Sequence, residues 1–380
     1  MKLNKYINDE DKKKFTESEL SRLENAVKKS TLVETEEHIP DVVFGAVNVA
    51  SIGKESLDRY LNLLDKTPDF CNQKHIGFGA GTIATKAKDS LERLFTLIEN
   101  TGGFSAKGMI GAAAGNLSIA DIGKLDRYFT MVENMKNNDA KDWVSYGVTN
   151  LAANDDNIKF IGKYMDLTEK INDEESKSII GFHVGELALR KNLHIEEYLE
   201  LFSECIEPFN KLIENLDYDT KSNIVNNINI TAKEKRYDFD LENYLNKMCL
   251  HKDMIKEISE HVKERHLKGR IVDMLSEIIV EGREDPKQFL DAVTINYTPW
   301  VVETALKIVR DTYNTNIEKF GYITGALKKL SLTKIYCLQN IENCTNIAEG
   351  LELAEKMDVF DKVFSEYNGD MDLKEVVQQL

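Results

Sequence analysis

The phrase LDRYLNLL at residues 57–64 recurs along the chain and decides its fold. Further copies read LERLFTLI at 91–98, LDRYFTMV at 125–132, IGKYMDLT at 161–168, IEEYLELF at 195–202 and LENYLNKM at 241–248. Successive copies begin 34, 34, 36, 34 and 46 residues apart. Apolar residues at i, i+3, i+4 and i+7 share one face of a helix. The phrase therefore predicts one amphipathic helix per repeat, called the first helix below.

A second phrase follows the first helix after a short turn rich in Gly, Asn and Asp, which are typical breakers between helices. It reads VVFGAVNVA at 42–50, IGFGAGTIA at 76–84, IGAAAGNLS at 110–118 and VSYGVTNLA at 144–152, with looser copies IGFHVGELA at 180–188 and IVNNINITA at 224–232. We interpret it as the second helix of each repeat. One helix pair per period of this length is typical of an α-solenoid.

The sequence thus predicts an all-α chain, an α-solenoid (α-α superhelix) of about eight to nine helical-hairpin repeats with capping helices at both ends. Only five prolines in 380 residues agree with a helical chain, because proline breaks helical hydrogen bonds. The apolar first helix, short turn and basic-led second helix resemble HEAT-like and armadillo-like repeats. Tetratricopeptide repeats share the 34-residue period, but the Trp, Gly and Pro positions of that motif do not line up.

Four segments are predicted along the chain. Residues 1–37 form a charged segment and a capping helix, 38–205 the regular repeats of 34–36 residues, 206–331 longer divergent repeats, and 332–380 a helical C-terminal cap. Pro208 follows an unusually long first-helix segment, so an extended or broken helix is expected there.

The composition bounds the partners and the compartment. The net charge is −16, from 49 Lys and Arg against 65 Asp and Glu, and a field of that sign repels phosphate backbones and anionic lipid. No apolar stretch approaches the length of a membrane span, and the N-terminus lacks the apolar region of a signal peptide. The five cysteines are scattered, without a CxxC pair, and fit the reduced thiols of a cytoplasmic protein. They are Cys71, Cys205, Cys249, Cys337 and Cys344.

Two rows of residues that recur once per repeat are interpreted as packing. The bulky row on the first helices consists of Leu23, Tyr60, Leu94, Tyr128, Tyr164, Tyr198, Tyr244, Phe289 and Phe320. The small row on the second helices consists of Gly45, Gly79, Ala113, Gly147 and then His183. A glycine inside a helix costs about 0.5–1 kcal/mol relative to alanine, so its repetition indicates close approach of neighbouring helices. His183 breaks the row, and we expect a buried, hydrogen-bonded histidine rather than a ligand or a pH switch.

A polar row lies three residues beyond the small row and is the leading candidate for binding. Its members are Asn48, Thr82, Asn116, Asn150, Glu186 and Asn229. An asparagine amide offers a donor and an acceptor together, which suits the backbone of an extended peptide. The row resembles the inner-helix asparagines with which armadillo-type solenoids hold peptides. The alternative is that these amides bridge neighbouring repeats.

A basic row marks the start of the second helices: Lys74, Lys107, Lys141, Lys177 and Lys221. A cation at a helix N-terminus opposes the helix dipole, so a partner elsewhere is expected for these lysines. We first interpret them as ion pairs between repeats, with Asp69, Asp139 and Glu175 as candidate acids. The alternative is a basic stripe that meets an acidic partner.

No motif in the sequence names a catalytic residue, a metal site or a cofactor. The seven histidines have no zinc spacing, and GFGAG at 77–81 belongs to the small row rather than to a nucleotide loop. The leading hypothesis is a non-enzymatic scaffold that binds a protein or peptide on the concave surface of successive second helices. A HEAT-like nucleic-acid handler or DNA-repair glycosylase is the alternative that the basic row keeps open, although the acidic total disfavours nucleic acid. A structural subunit of a larger assembly is a further alternative.

Overall fold

The computed structural model describes residues 3–30, 39–190, 195–234, 240–295, 298–315, 317–340 and 347–366. These residues form 21 α-helices, five short 3-10 helices and no strand. The chain divides into two compact units, unit 1 at Met1–Ile206 and unit 2 at Glu207–Leu380. The predicted all-α class is therefore correct for the described part of the chain.

Unit 1 contains the regular repeats. Its helices are α1 Asp9–Lys12, α2 Glu17–Ser30, α3 Ile39–Ala50, α4 Lys54–Asp65, α5 Phe70–Lys86, α6 Leu91–Glu99, α7 Phe104–Ala120, α8 Leu125–Glu133, α9 Asn138–Ala152, α10 Ile161–Lys170, α11 Glu174–Leu189 and α12 Ile195–Glu204. Every copy of the first phrase in this unit lies on a helix (α4, α6, α8, α10, α12), and the second phrase lies on α3, α5, α7, α9 and α11. Consecutive first helices contact each other, and so do consecutive second helices. Unit 1 thus has two layers of helices.

Unit 2 contains longer and less regular pairs. Its helices are α13 Ile206–Ile213, α14 Tyr218–Glu234, α15 Leu241–Leu250, α16 Lys252–His261, α17 Arg265–Glu281, α18 Pro286–Thr294, α19 Pro299–Thr315, α20 Phe320–Asn340 and α21 Ile347–Glu366. The helix expected to break near Pro208 does so, because α12 ends at Glu204 and α13 begins at Ile206. Proline is tolerated in the first turn of α13, where no helical hydrogen bond is lost. The predicted C-terminal cap includes 341–346 and 367–380, which lie outside the described residues.

The bulky row forms the core between the two layers. Every member is buried, with at most 4% of its surface exposed, so the packing interpretation is confirmed. Two of the tyrosine hydroxyls bond directly to the backbone. Tyr60 donates to the carbonyl oxygen of Val42 at 2.8 Å, and Tyr164 donates to that of Val144 at 3.3 Å. These bonds attach a first helix to the backbone of the preceding second helix, so both rings are buried with their hydroxyls satisfied.

The small row lies where second helices touch. A Cβ added at Gly45 would lie 2.7 Å from the carbonyl oxygen of Gly77, and one at Gly79 would overlap the carbonyl of Gly111. Gly181, two residues before the row member His183, makes a similar contact, since its Cβ would lie 2.6 Å from the carbonyl oxygen of Trp143. The predicted close approach is confirmed for Gly45 and Gly79, whereas a Cβ at Gly147 would lie 2.7 Å from the Tyr164 hydroxyl of a first helix. Backbone-to-backbone contact brings these helices nearer than the roughly 8–10 Å that intervening side chains usually impose.

The first helices are linked differently, by a ladder of charged side chains on their exposed side. The cations of this ladder are Arg22, Arg59, Arg93, Arg127 and Lys163. The last four are each the third residue of a copy of the recurring phrase. Arg22 is the third residue of a fainter copy, LSRLENAV, at residues 20–27. Arg59 pairs with Glu92 and Glu99 of the next first helix at 2.5 Å and donates to the hydroxyl of Thr96 at 3.1 Å. The same geometry repeats one helix later, so long side chains set the spacing of this layer.

None of the helices in the described ranges is both long and apolar enough to cross a membrane.

Replacing Gly79 by alanine tests the backbone contact. We expect Gly79→Ala to lower the free energy of unfolding by about 1–3 kcal/mol, because the new methyl group meets a backbone carbonyl that cannot rotate away. Gly162→Ala is the matched control, since its Cβ meets only the Lys124 side chain at 3.4 Å, and we expect it to stabilise by up to about 1 kcal/mol. Urea denaturation followed by circular dichroism measures both. Equal effects at the two glycines would contradict the contact.

The ladder should respond to salt. We expect Arg93→Met to destabilise unit 1 by about 1 kcal/mol at low salt, because it removes the pairs with Asp126 and Glu133. Methionine keeps the aliphatic packing on Phe129, whose ring lies 5.4 Å from the guanidinium. The deficit should shrink at high salt, where exposed charges are screened. Lys88→Met, at an exposed site, is the control, and a salt-independent deficit at Arg93 would argue against the ladder.

Candidate functional site

The second helices of unit 1 leave one stripe open to solvent, opposite the core. On α5 the stripe runs through Cys71, His75 and Phe78, at intervals of about one turn. The stripes of α3, α5, α7, α9 and α11 lie side by side because these helices pack consecutively. We call this surface the second-helix face.

A ring row crosses the second-helix face. It consists of Phe44, Phe78, Ala112, Tyr146 and Phe182, one residue before each member of the small row. Phe44 and Phe182 are 40% and 39% exposed, while Phe78 and Tyr146 are half-buried. Such exposure of a recurring large apolar side chain is unusual on a protein surface. The row is therefore the strongest indication of a binding surface in unit 1.

Three rings of this row, Phe44, Phe78 and Tyr146, also cover a glycine on the next helix. A Cβ at Gly81 would lie 2.5 Å from the ring of Phe44, and one at Gly115 would lie 2.6 Å from the ring of Phe78. Tyr146 covers Gly185 in the same way. The glycine contacts thus hold the rings in place, because a ring can lie across a helix only where the side chain below is absent. A rigid aromatic surface binds with little loss of conformational entropy.

The polar row lies one turn beyond the ring row, on the same face. Asn48 donates to the carbonyl oxygen of Phe44 at 2.8 Å, and Asn150 to that of Tyr146 at 2.9 Å. Asn116 reaches across to the carbonyl oxygen of Thr149 at 3.4 Å, a long hydrogen bond. Each of these amides keeps a second N–H group and a carbonyl oxygen without a partner among the described residues.

The remaining members of the polar row differ from these asparagines. Thr82 is buried, with 4% exposed. Glu186 accepts a hydrogen bond from the Tyr146 hydroxyl at 2.8 Å and pairs with Arg190 at 3.0 Å. Asn229 is half-buried on α14 in unit 2. The row is therefore chemically mixed, with its amide character concentrated on α3, α7 and α9.

The rings cluster between α9 and α11, a feature absent from the sequence-based prediction. Trp143 meets Tyr146 edge-on at 5.6 Å between ring centroids and meets Phe182 edge-on at 5.0 Å. The signal was present in the sequence, since the ring row repeats 34 and 36 residues apart and lies four residues before the polar row. It was hidden because an exposed aromatic and a core aromatic look the same in a sequence pattern.

Carboxylates surround this cluster. Asp139 and Asp142 lie on α9 before Trp143, Glu175 lies at the start of α11, and Glu186 bonds to Tyr146. Burial raises the pKa of Asp142, and the charge of Asp139 raises it further, while a hydrogen bond to Ser105 lowers it. Burial and the hydrogen bond to Glu186 raise the pKa of Tyr146 to about 12. Carboxylates thus raise the pKa of both groups, while the charge of Arg190 partly opposes this effect at Tyr146.

Two histidines lie on or beside this face. His183 is half-buried rather than fully buried, and burial lowers its pKa despite the nearby charge of Glu186. His75 is also half-buried, its Nδ1 atom has no hydrogen-bond partner among the residues that the structure describes, and burial again lowers its pKa. Both rings are therefore neutral at neutral pH.

The basic row does not form an open stripe throughout. Lys141 and Lys221 are buried, with 7% and 4% exposed, and Lys74, Lys107 and Lys177 are half-buried. Within the described part of the chain, no carboxylate lies within ion-pair distance of the first four lysines of the row. The first interpretation of the basic row, as ion pairs with acids such as Asp69, Asp139 and Glu175, therefore does not apply to those four lysines.

The structure gives the position of the basic row another role. Its counterpart on α5 is Gln73 rather than Lys74, and Gln73 donates to the carbonyl oxygen of Leu64, at the end of α4, at 3.0 Å. Lys268 on α17 forms an ion pair with Asp217 and also donates to the carbonyl oxygen of Ser259, in the last turn of α16, at 3.3 Å. In both cases the acceptor lies nine residues earlier, on the preceding helix. A donor at this position satisfies a carbonyl oxygen that has no partner within its own helix. It also interacts favourably with the negative end of that helix dipole.

Among the described residues, no three His, Cys, Asp or Glu side chains form a group that could hold a metal ion. Cys71 is exposed, Cys249 is half-buried, and Cys205 and Cys337 are buried, all as free thiols. Cys344 lies outside the described residues.

No protein-family model, curated protein or solved structure matches this chain. Inference about function therefore rests on the geometry of the second-helix face.

The burial of Asp142 predicts a pH effect. The folded pKa of this carboxyl lies above its ordinary value of 3.8, so ionisation costs folding free energy. Stability should fall as the pH rises through the folded pKa and stay lower above it. We expect Asp142→Asn to raise Tm at neutral pH and the gain to vanish as the pH falls below 3.8. Asp89→Asn, at an exposed site, is the control; a gain at Asp142 that persists in acid would contradict this cause.

Proposed function

We propose that this protein is a non-enzymatic α-solenoid scaffold, of HEAT-like or armadillo-like type, that binds an extended protein segment on the second-helix face. The repeat of one helical hairpin every 34–36 residues in unit 1 supports the solenoid. The packing of first helices on first helices, and of second helices on second helices, also supports it, because repeat arrays bury their apolar faces in this way. A cytoplasmic location is part of the proposal and rests on the scattered free cysteines.

The different contacts within the two layers support a concave second-helix face within unit 1. The second helices touch through their backbones at Gly45, Gly79 and Gly181. The first helices are joined through arginine side chains such as Arg59 and Arg93. A layer with the shorter spacing lies on the inside of a curve, as in other solenoids, whose concave surfaces are used for binding.

The observation that carries the proposal is the ring row beside the polar row. The rings of Phe44, Phe78 and Tyr146 offer apolar surface for side chains, and the amides of Asn116 and Asn150 lie within one turn of that row. A peptide backbone needs paired donors and acceptors, whereas its side chains need apolar contacts. The two rows supply both along one line.

The basic row supports the protein-binding alternative over nucleic acid. Lys141 and Lys221 are buried, and the net charge of the chain is −16. Nucleic-acid binding depends on an accessible basic surface that releases counterions, and this row does not offer a continuous one.

Selection from a random peptide library displayed on phage tests the proposal. We expect the full-length protein to enrich a family of peptides, and the double variant Asn116→Ser, Asn150→Ser to bind them about thirtyfold more weakly, since each of the two lost backbone contacts weakens binding by about 1 kcal/mol. Serine is small and polar, so the face stays hydrated and the fold is retained. Synthetic copies of the enriched peptides, titrated by calorimetry, give the affinities.

The matched control makes the same change just after two first helices. It is Asn100→Ser with Asn134→Ser, two exposed residues that directly follow α6 and α8. This control should bind the peptides as the unaltered protein does. The proposal fails if no peptide is enriched, or if the two double variants bind equally well.

A further inference from the structure

The second-helix face is not uniform, and its α9–α11 end combines aromatic rings with negative charge. We call this region the acid–aromatic patch. It consists of Trp143, Tyr146, Phe182, Asp139, Asp142, Glu175 and Glu186. No other part of this face in unit 1 holds three large rings in contact within the described residues.

The rings of the patch are fixed and partly open. The edge-on contacts of Trp143 with Tyr146 and Phe182, at 5.6 and 5.0 Å between centroids, hold the Trp143 plane nearly perpendicular to the other two. Phe182 is 39% exposed, and Trp143 and Tyr146 are half-buried. An aromatic ring carries negative charge on its face, so an open ring face attracts a cation.

The carboxylates lie on both sides of the rings. Asp139 is four residues before Trp143, one turn away on the same stripe, and Glu175 has a similar place near the start of α11. Glu186 lies on the other side, held by the Tyr146 hydroxyl at 2.8 Å. A group that stacks on the rings therefore has a carboxylate within reach in either direction.

The neighbouring cations leave the patch with a net negative charge. Lys141 is buried, and Lys177 interacts electrostatically with Glu174 and Glu169, which lie outside the patch. Arg190 pairs with Glu186 at 3.0 Å and is itself mostly exposed.

The environment of Asp142 agrees with this charge balance. Burial raises its pKa, the hydrogen bond to Ser105 lowers it, and the charge of Asp139 raises it. The patch is thus a surface on which an added positive charge gains energy.

We infer that the acid–aromatic patch binds an arginine or lysine side chain of a basic segment in a partner protein. The cation stacks on the ring of Phe182, which is 39% exposed and lies edge-on to Trp143, and it pairs with Asp139 or competes with Arg190 for Glu186. Arginine fits better than lysine, because its planar guanidinium stacks on a ring and bonds a carboxylate at the same time. The inference rests on the proposed function and adds to it the charge class of the partner.

Fluorescence of Trp143 gives a direct test, since the chain has only two tryptophans. Trp300→Phe in the full-length protein leaves Trp143 as the sole reporter. The probes are three capped octapeptides in which serine alternates with arginine, lysine or glutamate. We expect the arginine peptide to change the emission and to bind more weakly as salt rises, the lysine peptide to bind less tightly, and the glutamate peptide not to bind.

Variants that neutralise two carboxylates then separate the effect of the patch on binding from the effect of the overall charge. Asp139→Asn with Glu186→Gln should weaken binding of the arginine peptide about tenfold, whereas Glu55→Gln with Asp89→Asn removes the same charge from exposed sites elsewhere and should leave it unchanged. Phe182→Leu, measured by calorimetry, should weaken binding by loss of the ring alone. Thermal unfolding confirms that each variant is folded.

The inference is overturned if the arginine peptide does not bind, or if the two double variants weaken its binding equally. The result is separable from that of the phage selection. Peptides that depend on Asn116 and Asn150 but carry no basic residue would leave the scaffold proposal standing and remove this inference. If the double variant Asn116→Ser, Asn150→Ser binds the enriched peptides as tightly as the unaltered protein does, the scaffold proposal itself is wrong.

Discussion

The backbone contact between successive second helices is the constraint on which the rest of unit 1 depends. At Gly45, Gly79 and Gly181 a side chain would collide with the backbone of the adjacent helix, so these helices lie closer together than helices separated by side chains. The rings of Phe44 and Phe78 lie across neighbouring glycines for the same reason. Because the glycines leave room, the aromatic surface is rigid as well as exposed. The packing requirement and the candidate binding surface are thus one arrangement.

The two layers solve the same problem, joining one repeat to the next, by opposite means. The second helices use small residues and direct backbone contact, whereas the first helices are joined by the side chains of Arg59, Arg93 and their counterparts. Exposed ion pairs contribute little free energy each, so stability comes mainly from the buried bulky row between the layers. The ladder instead keeps the charges of the first-helix side paired. Carboxylates outside the ladder, such as Asp139 and Asp142, lie on the second-helix face near Trp143.

The face also shows how a packing role and a binding role divide among similar residues. The lysines of the basic row look like a surface stripe in the sequence, yet Lys141 is buried, and Lys268 in the same position donates to the end of the preceding helix. The asparagines of the polar row look alike, yet each bonds to a different backbone carbonyl and retains part of its hydrogen-bonding capacity. The groups that packing leaves unsatisfied are therefore the ones that the proposed binding of a partner would use.

The sequence alone determined the helices, their pairing and the core, because the 34–36-residue period and the apolar spacing are local patterns. It also identified the small row as a contact, since glycine inside a helix lowers stability unless a neighbouring helix needs the space. Only the tertiary structure decided which faces stay open. The exposure of Phe44 and Phe182, the aromatic contacts of Trp143 and the acceptor of Lys268 depend on how neighbouring helices pack. Periodicity shows which residues share a helix face, but not which helix covers that face.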